Sequence, residues 1–180
     1  DGTPFRVDYV LEGTTGRPVL AAPIVLDESE SIALHIPDEG DNALHLHVRH
    51  IWLDRDRDEA ADRLLIHLGP GRHPKVAVME ILSVRLGGLP FDPSEVQIPN
   101  PLHIIEPSVC KRLNQDKAAL AQLCLRLAQR DVADPVAVGL DPHGLTIRTR
   151  TGPIRIPAPD ASPLNDPQAA QAWLDSMRTL

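Results

Sequence analysis

A chain of 180 residues with 42% hydrophobic and 24% charged residues has an ordinary globular composition, long enough for one substantial core or two small ones. Its formal net charge of -7 argues against nucleic acid or an anionic membrane as the main partner, because phosphate binding relies on clustered basic surface. No apolar run approaches the roughly twenty residues that span a bilayer, and Asp1-Gly2-Thr3-Pro4 resembles no signal sequence, so the expectation is a cytoplasmic protein. The chain does not begin with Met, which is read as trimming or a preceding segment.

Val7 to Leu11 and Val19 to Leu26 read as strands joined by the turn Gly13-Thr14-Thr15-Gly16, and Ser31 to Ile36 extends them into a three-stranded meander. After the polar loop Pro37 to Asn42, Ala43 to Leu53 returns to strand composition, with Leu44, Leu46 and Val48 on one face and His45, His47 and Arg49 on the other. Asp54 to Leu68 changes to helical period, with Ala60, Ala61, Leu64, Leu65 and Leu68 on one face and acidic residues in its first turns. Val76, Val78, Ile81, Val84 and Leu86 mark a long strand whose facing shifts midway, as a bulge would produce, and Gly87-Gly88 ends it.

Residues 89–107 carry Pro90, Pro93, Pro99, Pro101 and Pro107, too many for a helix or a central strand, and read as a linker. From Ser108 an amphipathic helix is expected to about Arg130, carrying Cys110 and Cys124. Fourteen residues apart on one helix, these two thiols could not form a disulfide, which fits a reducing compartment. Val136 to Leu140 then meets the turn Asp141-Pro142-His143-Gly144, Leu145, Ile147 and Thr149 alternate with polar residues, and Ile154 and Ile156 resume beyond Thr151-Gly152. These are three antiparallel strands. Asp166 caps a last helix with Pro167 at its first position and Ala170, Trp173, Leu174 and Met177 on its buried face. The elements divide the chain into 1–105 and 108–180.

Val138-Gly139-Leu140-Asp141-Pro142-His143-Gly144-Leu145, followed by a basic strand and Ile156-Pro157-Ala158-Pro159, resembles the small domain attached behind split-barrel proteins of the heme iron utilisation family. In that family the preceding helix opens with His-x-Asn-x-Asp-His. The matching residues are Arg112-Leu113-Asn114-Gln115-Asp116-Lys117, which keep the Asn and the Asp and replace both histidines. The order of elements in the first hundred residues looks like the pyridoxamine 5'-phosphate oxidase-like split barrel, with Gly16-Arg17-Pro18 leading into the second strand. The resemblance implies an α+β fold, an N-terminal FMN-binding-like split β-barrel followed by a small αβββα domain. It also implies a homodimer with its ligand at the dimer seam.

His45-Leu46-His47-Val48-Arg49-His50 is the densest functional group. On a strand His45 and His47 share a face about 7 Å apart, near enough for both to approach one heme edge, and Arg49 could hold a propionate. Two histidines without a third firm ligand do not define a metal site, and none is expected. Gly69-Pro70-Gly71-Arg72-His73-Pro74-Lys75 reads as a solvated turn, His143 as a polar turn residue, and His35, His67 and His103 as isolated residues. No nucleophile elbow, Cys-x-x-Cys, zinc-protease helix or dinucleotide fingerprint occurs, so no catalytic residue is legible. Aromatics at 3%, and the lack of basic or hydroxyl side chains from Val19 to Leu26, make FMN unlikely. The leading expectation is heme (tetrapyrrole) binding through His45, His47 and Arg49. The alternatives are a cofactor-free dimeric interaction module with a protein partner and, last, an FMN-dependent oxidoreductase.

Overall fold

The computed structural model describes residues 6–22, 32–36, 42–69, 75–159 and 163–179. The chain divides into two compact units, Asp1–Pro99 and Asn100–Leu180.

The first unit holds strands β1 (Tyr9–Leu11), β2 (Pro18–Ala22), β3 (Ile32–Ile36), β4 (Leu44–Leu53), β5 (Lys75–Leu86) and β6 (Leu89–Phe91), with helix α1 (Glu59–Leu68) between β4 and β5. They form one antiparallel sheet of order β1-β2-β5-β4-β3, with β6 on the far end of β5, curled into a half-barrel. Its centre is β5, whose Val76, Ala77, Val78 and Met79 are all buried. Over these four residues the strand is covered on both faces and has no polar side to display, so this stretch is a continuous apolar run. Val76 and Val78 pack with Val10, Val19, Ala60, Ala61 and Leu64 under α1. Ala77, Met79, Ile81 and Val84 line the opposite, inner face with Leu20, Leu46 and Val48.

Opposite Val48 and His47 of β4 stand Ile81 and Ser83 of β5, so Leu82 is the extra residue of a bulge. That insertion keeps Ile81 and Val84 on one face despite their odd spacing. The shift of facing expected from sequence is therefore present.

The meander expected for the first three strands is not. β2 pairs with β5 (Val19↔Val78, Leu20↔Ala77) and β3 with β4 (Leu34↔Leu46), so the two consecutive strands lie apart in the sheet. The reason is burial: Val19 and Leu20 face opposite sides and are both buried, which demands a central place, whereas β3 is half-buried and suits an edge. Residues 23–31, the expected continuation between them, lie outside the described residues.

The stretch 89–107, expected to be linker, carries regular structure. Gly87 and Gly88, at φ 57 and 81, make the two-residue turn that right-handed strand twist favours, and β6 folds back on β5 with Leu89 opposite Leu86. Pro90 is tolerated because β6 is an edge strand whose outer side needs no donor. A short 3-10 turn at Pro93–Glu95 follows, capped by Asp92.

The second unit comprises α2 (Glu106–Leu113), α3 (Lys117–Ala128), β7 (Val136–Asp141), β8 (Gly144–Thr149), β9 (Gly152–Pro157) and α4 (Pro167–Thr179), with strand order β7-β8-β9. The expected single helix from Ser108 to about Arg130 is two helices, giving ααβββα in place of αβββα. The chain breaks at Asn114-Gln115-Asp116, where Asp116 turns to accept from the Ala119 N–H and cap α3. The one-helix argument against a disulfide lapses with it, and Cys110 and Cys124 are buried free thiols. Burial pushes the Cys124 thiol up from its ordinary value. The core gathers Leu120, Leu123, Leu140, Leu145, Ile147, Ile156, Leu174 and Met177. The Asp166 cap and the buried face of α4 stand as read from sequence.

Candidate functional site

On β4, Leu46 and Val48 point into the buried inner face, and His45, His47 and Arg49 stand on the outer face. The sheet register fixes what each one meets. Arg49 lies opposite Glu80 on β5 and donates to its carboxylate from Nε at 2.8 Å, with Nη2 on the same oxygen. Its fork is thus engaged by an exposed ion pair, an interaction that contributes on the order of 0–1 kcal/mol. His47 lies between Ala33 of β3 and Ser83 of β5 and is exposed.

His45 is half-buried between His35 on one side and Arg85 on the other. The His35 and His45 rings stand edge to face, centroids 4.6 Å apart at an interplanar angle of 73°. His35 Nδ1 is buried and has no hydrogen-bond partner among the described residues, which is unusual because buried polar atoms are nearly always paired.

The structure therefore puts His45, His47 and Arg49 on one face, and adds His35 and Arg85. Sequence reading set His35 aside as isolated. The signal that recovers it is hairpin register: with Ile36 opposite Leu44, His35 must oppose His45. Nothing in the loop between them announced that register.

On the inner face of the same strand, His50 lies edge-on to Trp52 at 4.8 Å, and the Lys75 ammonium stands 4.8 Å from the indole centroid. His50 Nδ1 is also buried without a partner among the described residues. Residues 70–74 of the basic glycine loop lie outside the described residues. Among the described residues no three His, Cys, Asp or Glu side chains cluster as metal ligands would.

The motif residues of the second unit do structural work. Asn114 accepts from the Ala137 N–H at 2.8 Å and donates to the Ala137 carbonyl at 2.9 Å. Buried Glu106 accepts from the Leu140 N–H, and Asn100 donates to the Leu140 carbonyl. These side chains satisfy the outer edge of β7, which a fourth strand would otherwise pair. Asp141 is ion-paired with Arg155 across the sheet and accepts from the His143 N–H in the turn. His143 itself is exposed, and His103 bonds the Asn100 carbonyl. Asn114, Asp116 and the Asp-Pro-His-Gly turn thus explain their pattern without any ligand.

No family model matches the chain, and no curated protein matches it. Among solved structures, it is similar in fold to a protein of unknown function from Agrobacterium tumefaciens str. C58, with a TM-score of 0.63 at 15% identity over 95% of this chain and 81% of that one. A heme binding protein from Mycobacterium smegmatis aligns over 96% of this chain and 84% of its own at 19% identity, with a TM-score of 0.38, too low to bear on shared architecture. What the fold and its likeness to the Agrobacterium protein define is a mixed α/β chain built on a curled antiparallel sheet. No helix among the described residues is long and apolar enough to cross a membrane.

Proposed function

We propose that the chain is a heme (tetrapyrrole) binding protein of the heme-utilisation type, built on a split-barrel first unit and acting as a homodimer. The observation that carries this reading is the outer face of β3, β4 and β5, where His45 and His47 stand beside Arg85. A porphyrin asks for an imidazole, a cation for its propionates and an apolar floor. His47 is the exposed imidazole, Arg85 the cation not engaged by a carboxylate among the described residues, and Ala33 and Ile51 the exposed apolar positions on that side. Arg49, held by Glu80, would reach a propionate only by exchanging one carboxylate for another. Bound heme would supply the iron chemistry, and the chain would supply the ligand nitrogen and the anchoring charge.

Hemin titrated into micromolar protein should shift its Soret band and saturate at one per protomer. His45→Ala combined with His47→Ala should abolish the shift. An unchanged shift in the double variant, or none in the wild type, overturns the reading.

A second reading, a cofactor-free interaction module, is favoured by the inner face. Leu86, Leu89 and Phe91 are 43%, 66% and 37% exposed there, and continue the row of Leu44 and Val84 across the sheet. An apolar sheet face open at one end is a surface for a partner, whether a second copy or another protein.

A further inference from the structure

The bulge in β5 sets two outward side chains, Leu82 and Ser83, beside the single residue His47 of β4. Ile81 and Val84 on either side of them are buried, whereas Leu82 and Ser83 are exposed, Leu82 to 45%. We infer that Leu82 is the apolar platform on which a flat macrocycle lies next to His47. The inference rests on the reading of this face as a porphyrin site and gives the ring a contact of its own, apart from the iron.

Size decides which neighbours of His47 a ring can meet. His47 is flanked on β3 by Ala33 and on β5 by Ser83, both exposed and both small. Its imidazole therefore stands above its lateral neighbours, with room over them for a broad, flat group. The next outward residues of β4, His45 and Arg49, lie roughly 7 Å away along the strand. Ile51 stands beyond Arg49, roughly 13 Å away. Leu82 is thus the bulky apolar side chain next to His47. A ring held through one imidazole alone would pivot about that bond. A leucine against its face removes this freedom and takes apolar area of both from water.

The backbone accounts for the placement. A regular strand sends one of each two consecutive side chains outward, so a leucine and the serine after it could not both stand beside His47. The extra residue of a bulge allows it, and bulges recur where a side chain is re-aimed next to a binding site. An exposed leucine by itself is ordinary. Leu82 differs in its company, because Arg85 lies on the same face, diagonal to His47 and roughly 7–8 Å from it. An imidazole, an apolar surface and a cation then fall within the span of one macrocycle whose rim carries carboxylates. The nearby Glu80 is ion-paired with Arg49.

The test titrates hemin and iron-free protoporphyrin IX separately into the full chain, the first followed by its Soret band and the second by its own fluorescence. Without iron there is no bond to an imidazole, so protoporphyrin IX reads the platform alone. Leu82→Asn, polar and of similar length, should weaken binding of both porphyrins by about fivefold or more. The Soret maximum of its hemin complex should stay in place, because the histidines are untouched, and Leu82→Met should restore the affinity. Little core is at risk at so exposed a position. Equal affinities in wild type and Leu82→Asn for both porphyrins overturn the inference and leave heme binding standing. A loss confined to hemin with a displaced Soret maximum also overturns it, since Leu82 would then act by holding His47. Wild type that binds protoporphyrin IX in a manner dependent on Leu82, yet gives no Soret shift with hemin, keeps the platform and refutes ligation by histidine. Binding of neither porphyrin to wild type refutes both.

Discussion

At the scale of single residues, two glycines in the second unit separate two costs that are often merged. Gly144 and Gly152 both have positive φ, 133 and 123. A Cβ at Gly144 would lie 2.1 Å from the Ile156 carbonyl oxygen, whereas one at Gly152 would meet nothing within 4 Å. Gly152→Ala therefore carries only the backbone strain, about 1–2 kcal/mol. Gly144→Ala must in addition push apart the β8–β9 pairing, and we expect a loss of at least about 3 kcal/mol. Urea midpoints of the two variants measure the difference, and equal losses would refute the close approach. The Gly in the turn after Asp141-Pro142-His143 was legible from sequence as a residue needing special backbone. That it is also pressed against a neighbouring strand was not.

Elements are held by side chains acting as substitute backbone. The amide of Asn114 pairs both polar groups of Ala137 as a neighbouring strand would, which is why one long helix gives way to α2 and α3. Continuing the helix through Asn114 would leave the edge of β7 with a buried donor and acceptor unmet. Asn114→Ala should cost about 2–3 kcal/mol, the penalty for stranding those two groups. It should also speed hydrogen exchange at the Ala137 amide specifically. Asn114→Asp should not rescue it, because a carboxylate would face the Ala137 carbonyl. Protection at Ala137 unchanged in Asn114→Ala would overturn this account. The resemblance to the heme iron utilisation family rests partly on this Asn and on Asp116, and both are explained by hydrogen bonds to backbone. They speak for architecture and leave the chemistry to the first unit.

For the whole molecule, the inner face of the half-barrel sets the question of assembly. Homodimerisation belongs to our proposal, and the exposed row of Leu86, Leu89 and Phe91 is the surface it would use. Leu89→Asp with Phe91→Asp should shift sedimentation from dimer to monomer without changing far-ultraviolet dichroism, because both side chains are already exposed and little core is lost. A wild-type chain that sediments as a monomer at micromolar concentration would remove the dimer from the proposal.

The sequence by itself determined the period and polarity of most elements: the outer His45, His47 and Arg49 against the inner Leu46 and Val48, the bulge in the long strand, the hairpin at Asp141 to Gly144, and the capped last helix. Those are local properties, set by side-chain alternation and turn chemistry within a few residues. Only the tertiary structure decided which strands are neighbours, and with it what the site contains. Sheet order depends on which strands need burial on both sides, a competition settled across the whole unit. It put β2 beside β5, gave Arg49 the Glu80 carboxylate, and set His35 against His45. A histidine read alone in sequence acquires its meaning from the strand that pairs with it, because a cross-strand partner is fixed by register.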